Sequence, residues 1–79
     1  MKSTEGMTLR LTHLACNRAY KSGFKAEDIQ DAFEHPSEIT PNKEFPGQFT
    51  IANPKMRIVG VPDGNKFVGI TLGKNSAKR

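Results

Sequence analysis

Two histidines, one cysteine and a handful of bases are the residues of this 79-residue chain that could do chemistry. Lys55 and Arg57 share a parity, Lys66 enters what reads as the return strand of a hairpin, and Phe67 and Thr71 fall on the same side of that strand. Bases, an aromatic ring and a hydroxyl on one strand face suit a phosphate backbone with a stacked base. The ordinary alternative is an exposed sheet face with solubilising charge. His13 and Arg18 bracket a helical stretch. Five residues at about 100° each put them about 140° apart, so they converge only if His13 sits at the helix cap. His35 precedes Pro36 at a helix end, where the helix dipole favours a cation. Neither histidine has a partner at metal-ligand spacing, so no metal site and no cofactor is expected. Cys16 reads as a buried structural thiol.

These residues need elements to place them. Met7–Thr12 alternates apolar and polar, the period of a half-buried strand. Thr12 then caps a first helix to about Ser22, with Gly23 as its left-handed terminator. Leu14, Cys16 and the body of Tyr20 are its expected buried side. A second helix opens at Ala26-Glu27-Asp28, with acids in its first turn. Ile29, Ala32 and Phe33 form its apolar face, Lys25 is a poor cap, and Pro36 stops it. Residues 41–47 read as a loop. Gln48–Ala52 alternates as a strand, and Met56–Val61 is nearly continuous apolar, as in a strand covered on both faces. Pro62-Asp63-Gly64-Asn65 is turn chemistry. Lys66–Leu72 returns, with Val68, Ile70 and Leu72 expected to meet the helices.

Composition bounds the rest. A chain this short makes a single domain with a small core. We expect a flexible N-terminus over 1–6, one α+β domain over 7–72 and a basic flexible tail over 73–79. One cysteine excludes an internal disulfide and fits a reducing, cytoplasmic setting. No secretory leader or membrane span is expected. The formal charge of +4 is unevenly spread: residues 1–48 hold six bases and seven acids, whereas residues 49–79 hold six bases and one acid. A basic second half points to RNA or another acidic partner.

The run His13…Arg18-Ala19-Tyr20-Lys21-Ser22-Gly23-Phe24-Lys25-Ala26-Glu27-Asp28-Ile29 resembles the opening of small bacterial and phage domains related to the RelE/BrnT toxins. Phe33-Glu34-His35-Pro36 with Glu38-Ile39, then Lys55–Val61 and Val68–Leu72, continue that resemblance in order. Ser22 stands where the family has a second arginine. The resemblance implies two N-terminal helices packed on a three- to four-stranded antiparallel sheet. It implies RNA or ribosome binding and RNA cleavage, with Arg18 and Arg57 as phosphate clamps and His13 as proton carrier. It also implies an acidic antitoxin as partner. A second expectation stands beside it: a non-catalytic, phage-encoded interaction protein that binds a host protein through its sheet edge or its acidic helix.

Overall fold

The computed structural model describes residues 3–74. Its element order is β1 (Thr8–Leu11), α1 (His13–Ser22), α2 (Ala26–Glu34), β2 (Glu38–Pro41), β3 (Phe49–Ala52), β4 (Met56–Asp63) and β5 (Lys66–Lys74). Strands β2 to β5 form an antiparallel meander, and β1 adds to its far side parallel to β5, giving the order β1-β5-β4-β3-β2. The fold is therefore α+β, but its sheet is mixed and five-stranded where three or four antiparallel strands are expected. The missed strand is β2, which carries one apolar residue, Ile39, and ends in Pro41. Proline suits an edge strand, and β2 is the edge. Nothing local marks it as a strand, because its pairing with β3 is tertiary.

Both helices lie on one face of the sheet, α1 against β5 and β1, α2 against β4 and β3. Ile29, Ala32 and Phe33 of α2 meet Ile51, Met56, Ile58, Phe67 and Leu72 from the strands in one core. The Phe33 and Phe67 rings lie 6.2 Å apart and tilted by 36°, a favourable aromatic geometry. The α1 caps follow the sequence. Thr12 Oγ1 accepts from the Ala15 N–H at 3.2 Å, and Gly23 closes the helix at φ 80°. At the start of α2 the Asp28 carboxylate accepts from the Lys25 N–H at 3.2 Å, which supplies the cap that the Lys25 side chain cannot.

Three expectations about facing are corrected. Leu14, Cys16 and Tyr20 are exposed, and α1 buries Ala15 and Ala19 instead. Strand β4 is covered on one face only: Met56, Ile58 and Gly60 point to the helices, while Arg57 is exposed and Val59 and Val61 are half-buried. On β5 the buried residues are Phe67, Gly69 and Leu72, not Val68, Ile70 and Leu72. Val59 pairs with Thr71 but Gly60 pairs with Gly69, so Ile70 is an extra residue in the ladder. Such a bulge reverses the side-chain parity on either side of it.

The ends also differ. Thr4 is buried and its hydroxyl donates to the Phe33 carbonyl at 2.6 Å. Strand β5 runs through Lys74, into the expected tail. Residues 75–79 of that tail lie outside the described residues. Among the described residues no helix is long and apolar enough to cross a membrane.

Candidate nucleic-acid interface

Among the described residues no helix covers the second face of the sheet. Its residues are those that alternate with the core positions. Arg57 stands there between the buried Met56 and Ile58, with Gly73 and Ala52 as its cross-strand neighbours. The next row across the sheet is Thr71, Val59, Thr50 and Thr40. Beyond the bulge come Val61, Val68 and Arg10, and then Asp63, Lys66 and Thr8. The open face is thus a strip of valines and threonines with Arg57 near one end and Arg10 and Lys66 near the other. Threonine hydroxyls and arginine guanidinia both donate to phosphate oxygens. Asp63 sits directly across from Lys66 and lowers the net charge of that corner.

The sequence-predicted residues fare unequally. Arg57 and Lys66 are exposed and belong to this face. Phe67 does not: it is fully buried against Phe33, so its ring has no free side to offer a base. The bulge is the reason, since it sets Phe67 rather than Val68 toward the helices. Lys55 is exposed in the β3–β4 turn and lines a cavity of about 130 Å³ with Phe24, Asp28, Asp31, Asn53 and Met56. It belongs to the helix side, beside two aspartates, and not to the Arg57 surface.

His13 is the first residue of α1 and Arg18 lies on the same helix, both exposed. The sheet separates that helix layer from Arg57, so the three residues do not form one constellation. Arg10 is the residue that sequence reasoning passes over. Its outward position is written in the alternation of Met7, Leu9 and Leu11 around it, but only the parallel β1–β5 pairing brings it onto the Val61–Val68 row.

A cleft of about 560 Å³ opens elsewhere, between residues 3–7, the end of α2 and β2. Glu5, Glu34 and Glu38 line it, and among the described residues no base does. Among the described residues no three His, Cys, Asp or Glu side chains are grouped to hold a metal ion.

No protein-family model matches the sequence, and no curated protein matches it either. A solved structure does. The chain superimposes on a chain of the RelBE2 toxin–antitoxin complex from Mycobacterium tuberculosis with a TM-score of 0.71 and 18% identity, covering 98% of this chain and 100% of that one. At that identity the likeness establishes the fold, which is RelE-like, as the resemblance in the sequence implies.

Proposed function

We propose that this protein is a toxin-type RNA-binding protein whose RNA contact is the helix-free sheet face, with Arg57, Arg10 and Lys66 taking phosphates. The observation that carries the reading is the joint presence of a RelE-like fold and an open sheet face whose outward bases come from three strands. The face supplies phosphate ligands and hydroxyls but no exposed aromatic, since Phe67 is in the core. RNA bound here is held by its backbone, with little selection among bases. An acidic antitoxin is the protein partner such a surface calls for, because it competes for the same cations.

Cleavage is a separate step in this reading. It requires a proton carrier at the Arg57 phosphate, and His13 stands on the helix layer. RNA incubated with purified protein decides the point: intact RNA that nevertheless stays bound fixes the activity as binding. Binding itself is tested by titrating a fluorescent oligoribonucleotide at several salt concentrations. For a single strand held by its phosphates, the logarithm of the affinity falls with the logarithm of salt by about 0.7 per phosphate neutralised. Affinity that does not fall with salt overturns the reading.

The dispersal of His13, Arg18 and Arg57 favours one alternative, a non-catalytic protein that binds a host protein. A salt-resistant, nuclease-insensitive complex recovered from cells supports it, and strong binding to RNA counts against it.

A further inference from the structure

Helix α1 is built inside out. Its buried residues are the small ones, Ala15 and Ala19, and its exterior carries Leu14, 54% exposed, and Tyr20, 87% exposed. An amphipathic helix normally turns its largest apolar side chains to the core. Tyrosine is enriched at protein contact surfaces. The charges around them are all of one kind. α1 carries Arg18 and Lys21, with His13 at its start, and no carboxylate.

The complement of that surface lies on the neighbouring helix. α2 carries Glu27, Asp28, Asp31 and Glu34 and no base. At about 100° per residue, Glu27, Asp31 and Glu34 project directly away from the buried Ile29, Ala32 and Phe33. They are all exposed. The same geometry points Asn17, Lys21, His13, Leu14 and Tyr20 of α1 away from the sheet and sets the exposed Arg18 on the flank of that surface. The two helices are consecutive and occupy neighbouring halves of one sheet face, α1 over β1 and β5, α2 over β3 and β4. A two-fold axis between them therefore lays α1 of one copy on α2 of the other, and the reverse, in a single closed contact.

We infer that the helix layer is a self-association surface, and that its occupant is a second copy of this chain, held by the α1 bases against the α2 acids around Tyr20 and Leu14. The inference is independent of the RNA reading, since it uses the opposite side of the sheet. Two helices of 10 and 9 residues present a footprint of about 15 Å by 20 Å. An interface of that size buries well under 1,200 Å² in total, roughly the range of weak, transient contacts. The association is therefore concentration-dependent and sensitive to salt.

Analytical ultracentrifugation of the purified chain, without RNA, from about 10 μM to about 1 mM tests it. The mean mass rises from 8.7 kDa toward twice that value at low salt. It falls back at about 1 M salt, where the screening length is only about 3 Å. Arg18→Glu with Lys21→Glu leaves a monomer, and so does Glu27→Lys with Asp31→Lys, while an equimolar mixture of the two variants associates again. That restoration also shows that both variants are folded. Tyr20→Ser in the wild-type background weakens association severalfold. A wild-type chain that stays monomeric to about 1 mM overturns the proposal. So does either charge-reversed variant associating alone, a mixture that fails to associate, or a mass increase seen only with RNA.

Discussion

At the scale of single residues, alternation along a strand separates the groups that hold the fold from those free to bind. Arg57 alternates with Met56 and Ile58, and that period-two pattern is plain in the sequence. Arg57→Ala should leave the urea midpoint unchanged within the effect of about 0.5 kcal/mol expected of a surface substitution, while RNA affinity drops. Phe67→Ala should do the opposite. It removes a fully buried ring packed on Phe33 and costs about 3–5 kcal/mol, enough to unfold much of a domain this small. Chemical denaturation and circular dichroism of the two variants read the difference. The exchange of roles between Phe67 and Val68 is not legible in the sequence, because one extra residue in a ladder leaves no trace in composition. Glycine at position 60 is the nearest thing to a sign of it. A Cβ there would overlap the Val68 carbonyl and the Gly69 Cα across the bulge, all of them backbone atoms that cannot move aside.

At the scale of elements, pairings close in sequence are readable and pairings far apart are not. Thr12 shows both. Its capping of α1 follows from its place before a helical run, and its hydroxyl accepts from the Ala15 N–H. The same hydroxyl donates to the Ile70 carbonyl at 3.2 Å, and the Thr12 N–H donates to the Gly69 carbonyl at 2.9 Å. One residue thus ties the start of α1 to β5 at the bulge. Thr12→Ala should cost about 1–2 kcal/mol, because it removes the cap and leaves a carbonyl short of a donor. Thr12→Ser should recover most of that loss, and the denaturant slope should stay constant across the series. Strand β2 illustrates the other case. Its four residues carry no alternation to read, and only β3 beside them makes them a strand. The outward side of α1 is hidden for a similar reason: Leu14 and Tyr20 are the apolar residues one would bury, but alanines are what fit against β5 and β1.

At the scale of the whole molecule, the sheet separates two charged surfaces of different character. The helix side holds the acids of α2 beside the bases of α1, and Lys55 stands there with Asp28 and Asp31. The open side holds Arg10, Arg57 and Lys66, with Asp63 opposite Lys66 and Glu38 at the outer edge. The uneven charge along the sequence points to a basic surface but places it in the second half alone, because the parallel addition of β1 imports Arg10 from the acidic half. This arrangement sets a prediction that charge counting alone cannot make. Lys55→Ala, Arg10→Ala and Arg57→Ala each remove one positive charge, so a response to net charge treats them alike. Binding on the open face does not. Arg10→Ala and Arg57→Ala should each reduce the salt slope of RNA binding by about 0.7, and the double variant by about twice that. Lys55→Ala should leave the slope and the affinity nearly unchanged, because its side chain sits on the other side of the sheet. An equal weakening in all three variants would locate the interaction in the overall field of the protein and not in the face that Arg10 and Arg57 share.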